Sequence, residues 1–123
     1  MTKQISFSKH ENEVLHGFRN KMNTAESTED VKKFFNYTVI KLLNDIFEDR
    51  VKIDSEDIRL KTDGKKSYLI EDSLLKQEGF QNIWNNSDIK RILGTFADIS
   101  LKRYKHLETN PEKTKLKIKN NIR

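Results

Sequence analysis

Cysteine is absent from the 123 residues, so a disulfide framework, a Cys-ligated zinc or iron–sulfur site and a thiol nucleophile are all excluded. Glycine is scarce. Gly17, Gly64, Gly79 and Gly94 each stand alone, and neither a GxGxxG turn nor a P-loop can be assembled from them. The single proline, Pro111, ends any helix before it. No stretch approaches the ~18 uncharged apolar residues of a membrane span, and the opening MTKQISFSKHENEV has no apolar run of signal-peptide length. The expectation is a cytoplasmic protein with no membrane contact.

Catalytic groups are equally sparse. His10, His16 and His106 form no HExxH or similar spacing, and His10 and His16, six apart, lie on opposite sides of one predicted helix. Carboxylates gather at Asp45, Glu48, Asp49, Asp54, Glu56 and Asp57, but a calcium loop starting at Asp45 would place Phe47 and Arg50 where a ligand and a glycine belong. Asp57-Ile58-Arg59-Leu60-Lys61 and Glu71-Asp72 offer only fragments of a metal-dependent nuclease pattern. A solvated loop of helix-ending and turn residues accounts for these acids. No metal, no cofactor and no catalytic residue is expected, and the chain is not read as an enzyme.

The length suits one domain. Hydrophobic residues make up 34% and charged residues 35%, so the core is modest and the surface heavily charged. The charge is unevenly spread. Residues 102–123 carry eight Lys or Arg against two Glu, whereas residues 1–101 carry 16 basic and 17 acidic side chains, so the net charge of +5 resides in the last fifth of the chain. We expect a globular domain over 1–107 and a basic, disordered tail over 108–123.

The hydrophobic pattern predicts an α+β fold, predominantly helical, in the order α-α-β-β-α-α with one β-hairpin packed on helices. Residues 8–23 read as a helix opened by a Ser8–Glu11 capping box, with Val14, Leu15, Phe18 and Met22 on one stripe. A second helix over 28–48, capped by Ser27 or Thr28, carries Val31, Phe34, Phe35, Val39, Leu42, Leu43, Ile46 and Phe47. Residues 57–71 read as a hairpin around Asp63-Gly64. A three-residue loop with Gly64 in the left-handed region would bring Ile58, Leu60, Tyr68 and Ile70 onto one face. Val51 and Ile53 alternate as a short third strand would. A short helix is expected from Asp72 or Ser73 to Glu78 with Gly79 as its stop, then a turn holding Phe80, Ile83 and Trp84. Ser87 is expected to cap a last helix over 88–107, in which Ile89, Ile92, Leu93, Phe96 and Ile99 face the core and Gly94 permits close packing.

Basic groups are the remaining functional signal. Lys90, Arg91, Lys102 and Lys105 fall on the side of the last helix away from its core stripe, and Arg103 adjoins them. The hairpin tip supplies Lys61, Lys65 and Lys66, and the tail supplies Lys113, Lys115, Lys117 and Lys119. Such residues suit phosphate contacts, and lysines also guard exposed strands against aggregation. The leading expectation is a nucleic-acid-binding protein that contacts DNA or RNA through phosphates. The alternative is a protein-interaction module or homodimer, for which an exposed Trp84 would be the natural anchor.

Overall fold

The computed structural model of the chain describes residues 5–109. Three long helices form a bundle: α1 (Ser8–Asn23), α2 (Thr28–Phe47) and α5 (Ile89–Thr109), each packed on the other two. The antiparallel strands β1 (Ile58–Leu60) and β2 (Tyr68–Ile70) lie against α2 and α5. Two short helices, α3 (Asp72–Leu75) and α4 (Glu78–Asn85), connect the hairpin to α5. This is the expected α+β, mostly helical architecture, with one helix more than expected. Among the described residues no helix is long and apolar enough to cross a membrane.

The bundle forms because the stripes on all three helices are met. On α2 the expected core residues are buried except Phe34, which is half-buried, and on α5 Ile89, Ile92, Leu93 and Phe96 are buried while Ile99 is half-buried. Phe18 of α1 meets Phe96 of α5 edge to face at 4.9 Å. Burying such a ring contributes roughly 2–3 kcal/mol. The Ser27 hydroxyl accepts from the Asp30 N–H and caps α2 as expected, a contact worth about 1 kcal/mol.

The start of α1 is held differently from the expectation. No capping box forms: Phe7 is the N-cap residue and offers no side-chain cap. Asp88, at the start of α5, accepts instead from the Phe7 N–H at 2.8 Å and from the Ser6 hydroxyl at 3.0 Å. Glu11, freed from capping, is buried and takes a bidentate pair from Arg91 at 3.0 and 3.2 Å. Ile5 adds a parallel bridge to Ser87. Local sequence offers α1 a self-made cap, and α5 supplies a carboxylate better placed to serve it. Burial pushes the Asp88 carboxyl up, but the hydrogen bonds from Phe7, Ser6 and its own amide, with the Arg91 charge, outweigh this and hold it below its ordinary value.

The hairpin register pairs Ile58 with Ile70, Arg59 with Leu69 and Leu60 with Tyr68, so the four expected residues share the inner face. The loop is nevertheless longer than expected. Lys61 donates its N–H to Ser67, leaving Thr62–Lys66 as a five-residue connection, and no described glycine has positive φ. Either odd loop length keeps the same faces together, so the inner face is the expected one. The left-handed residues are Glu48 (φ 52°) and Asp49 (φ 63°), where α2 ends.

Other expectations are corrected. Val51 and Ile53 form no third strand. The Gln77 side chain occupies a strand's place by accepting from the Lys52 N–H and donating to its carbonyl. Gly79 does not stop a helix but sits in the first turn of α4, which contains Phe80, Ile83 and Trp84. The Ser87 hydroxyl does accept from the Ile89 N–H, but α5 begins at Ile89 and runs two residues past Leu107. At Gly94 an added Cβ would meet nothing within 4 Å, so no close packing explains this glycine.

Two exchanges follow from these backbone conformations. Gly94→Ala should stabilise the protein by about 1 kcal/mol, since alanine is the better helix former and the space is open. Glu48→Gly should also stabilise, by about 0.5–1 kcal/mol, because glycine adopts a left-handed cap without Cβ strain. Both would appear as higher urea midpoints with unchanged slope. For Asp88, a folded-state pKa below the unfolded value means that its stabilisation is present above about pH 4 and fades as pH falls through the folded pKa. Asp88→Ala should cost about 1–2 kcal/mol at pH 7 and flatten this acid limb in denaturation measured from pH 7 to pH 2.

Candidate nucleic-acid interface

The hairpin is anchored by a row of rings. Phe47 at the end of α2 stacks on Phe80 at 5.3 Å, Phe80 stacks on Trp84 at 5.5 Å, and Trp84 meets Tyr68 of β2 edge to face at 6.4 Å. Phe80 is fully buried, whereas Trp84 and Tyr68 are half-buried at the surface end of the row. The Tyr68 hydroxyl donates to the Lys90 carbonyl at 3.3 Å, and burial raises the pKa of its phenol, which stays neutral at physiological pH. The row thus ties α2, α4, β2 and the first turn of α5 together.

These contacts create a cleft of about 530 Å³ between β2 and α4, bounded by Lys65, Lys66, Tyr68, Leu75, Trp84 and Lys90. No carboxylate is among its lining residues. The Lys90 ammonium lies over the Trp84 ring, 5.7 Å from its centroid. A cation in the first turn of a helix opposes the macrodipole, and the indole face offsets that cost while aiming the charge into the cleft. The bonded ladder positions at Lys61–Ser67 and Asp57–Glu71 imply that the main-chain groups of Tyr68 and Ile70 point away from β1. Tyr68 and Ile70 both line this cleft, so it borders the open edge of β2.

A second cleft of about 610 Å³ opens on the other side of the hairpin. Lys32 and Lys33 of α2 come beside Arg59 and Lys61 there, with Asp63 as the one carboxylate. Asn36 fixes this arrangement, since its side-chain amide donates to the carbonyls of Ser55 and Ile58. Arg59 is partly neutralised by its ion pair with Glu71. Sequence reasoning missed Lys32, Lys33 and Arg59. Only the docking of β1 on α2 brings the two lysines to Lys61. Leu69, an exposed apolar residue, borders both clefts and marks the hairpin as the ridge between them.

The twelve basic residues singled out from the sequence therefore separate into groups. Lys61, Lys65, Lys66 and Lys90 converge around the hairpin. Lys102 and Lys105 are exposed on α5, but Lys102 lies about 18 Å from Lys90 along the axis, so α5 does not present one continuous basic face. Arg91 is engaged with Glu11 and lies 3.6 Å from Asp88. Arg103 donates to the carbonyl of buried Ala25 at 2.7 Å and closes the α1–α2 connection. Both arginines hold the bundle together. Lys113, Lys115, Lys117 and Lys119 lie outside the described residues.

The acidic segment is structural where it is buried. Asp57 accepts from the Asp54 N–H at 2.8 Å and from the Ser73 hydroxyl at 3.3 Å, and Glu48 pairs with Arg50 at the surface. Among the described residues no group of three His, Asp or Glu side chains is placed to hold a metal ion. The connection between α4 and α5 is as short as in a helix-turn-helix, but the main partners of α5 are α2 and α1. Comparison with protein-family models, curated proteins and solved structures finds no match, so the geometry alone carries the functional reading.

The division between structural arginines and free lysines has a direct test. Arg91→Ala should cost about 2 kcal/mol, because it strands the buried Glu11 carboxylate, and Glu11→Leu combined with Arg91→Ala should recover part of that loss. Lys102→Ala should change stability by no more than about 0.5 kcal/mol. Urea unfolding of the four proteins measures all three expectations.

Proposed function

We propose that the protein is a non-enzymatic nucleic-acid-binding or accessory protein that contacts backbone phosphates. The observation that carries this reading is the acid-free cleft in which Lys65, Lys66 and Lys90 meet beside the open edge of β2. Lysine is a mobile point charge suited to phosphate, and backbone N–H groups at the same place suit it equally. Arg91 and Arg103, whose planar forks would otherwise suit base edges, are engaged by Glu11 and the Ala25 carbonyl. Affinity would then depend on charge count and salt more than on sequence. Lys102, Lys105 and the tail lysines would extend the contact along the nucleic acid.

Trp84 does not act as a free stacking platform or interface anchor in this reading. Phe80 stacks on its ring and Lys90 lies over it. One observation favours the alternative of a homodimer: Tyr37 on α2 is 70% exposed and lines a groove together with Gly17 and Phe34. Sedimentation of the wild type and Tyr37→Ala would reveal a dimer that depends on this ring.

Fluorescence anisotropy with short DNA and RNA tests the main reading. The wild type should bind at 50 mM salt and weaken steeply by 200 mM. Replacing Lys65, Lys66 and Lys90 by alanine should lower the slope of log affinity against log salt by about 2.7 on duplex DNA. A chain ending at Thr109 should lose further affinity. Absence of binding at low salt, where electrostatic attraction is strongest, would overturn the proposal.

A further inference from the structure

We infer that the ligand is a B-form DNA duplex, straddled by the hairpin so that its tip and outer face enter the major groove while lysines on either flank meet the two phosphate strands. This rests on the nucleic-acid reading above and goes beyond it in naming the form of the ligand. The carrying observation is the pairing of two cationic clefts across one ridge. On the β1 side stand Lys33, Lys61 and Lys32, the last also paired with Glu29 at 3.9 Å, with Asp63 as the one carboxylate, and on the β2 side Lys65, Lys66 and Lys90. A single strand has one phosphate backbone and would need one such row. A duplex groove has two, and a site with cations on both sides of a narrow ridge matches that symmetry.

The dimensions agree. Two paired strands are about 4.8 Å apart, and a two-stranded ribbon with its side chains is the element that the ~12 Å major groove admits. The inner face of this ribbon is occupied by Ile58, Leu60, Tyr68 and Ile70 against the helices. What remains outward is the loop over 61–67 and the pair Arg59 and Leu69, both exposed. Leu69 is an apolar group on an otherwise charged ridge, 38% exposed. A thymine methyl is the apolar feature of the major groove that such a residue can meet. The deep, narrow major groove of A-form RNA would exclude the same ribbon. Base stacking of a single strand at the hairpin needs open ring faces there, whereas Phe80 stacks on Trp84 and Lys90 lies over it.

The experiment uses the full chain with a labelled 16-base-pair DNA duplex, the RNA duplex of the same sequence and the two DNA single strands. Anisotropy titrations run from 50 to 200 mM salt. The expected result is at least tenfold tighter binding to the DNA duplex than to the other probes. Lys32→Ala with Lys33→Ala on one flank, and Lys65→Ala with Lys66→Ala on the other, should each reduce the log–log salt slope by about 1.8. All four lysines are exposed, so both variants should fold, which circular dichroism checks. Leu69→Glu should abolish the preference for duplex DNA. Equal binding to all probes, or loss of slope from one flank only, would overturn the straddled geometry while leaving a phosphate-binding protein. Absence of binding to every probe at 50 mM salt would overturn both readings.

Discussion

The row Phe47, Phe80, Trp84 and Tyr68 is the constraint on which the candidate site depends. A hairpin with three-residue strands is not stable alone, and α4 has only eight residues. Neither element carries enough apolar surface to fold independently. Phe80 joins them to the bundle by burying completely against Phe47. Trp84 then continues the row outward to Tyr68. Each ring pair adds about 0.5–1.5 kcal/mol beyond burial, and each fixes an angle between elements that loops alone would leave free. The position of Lys90 over the indole, and so the shape of the cleft, follows from that row.

At the other side of α5, polar contacts perform the corresponding role. Asp88 and Arg91 lie one turn apart at the start of α5 and reach back to Phe7 and Glu11 of the N-terminal segment. The pair Arg91–Glu11 is buried on the carboxylate side and open on the guanidinium side. Such a pair adds little net stability over an apolar contact but penalises any arrangement that leaves the carboxylate alone. It therefore helps to specify how α1 sits on α5. With Arg91 and Arg103 engaged here, the cations that line the clefts around the hairpin are lysines and the ion-paired Arg59, which shapes the proposed mode of binding.

Much of the fold was legible in the chain. The 3.6-residue period located α1, α2 and α5 to within about two residues, since amphipathic stripes report directly which face must leave water. Alternation in the hairpin identified its inner face even though the loop was misjudged, because side-chain parity does not depend on the turn. Errors arose where a local signal had a distant competitor. Ser8 and Glu11 fit a capping box, yet Asp88 lies 81 residues from Phe7 and takes the cap. Gly79 resembles a helix stop, yet Phe80 must reach the core, and α4 starts early enough to carry it there.

The sequence by itself determined the fold class, the main helices, the hairpin's inner face and the concentration of positive charge toward the C-terminal end, because periodicity and composition are local properties. Only the tertiary structure decided which cations are free. Arg91 looks like a surface charge on a helical wheel and Arg103 adjoins that face, yet they are bound to Glu11 and the Ala25 carbonyl. Lys32 and Lys33 look incidental and come to face Lys61 across a cleft. The physical reason is that a wheel orders residues around one axis, whereas pairing and convergence depend on what a second element brings to that face.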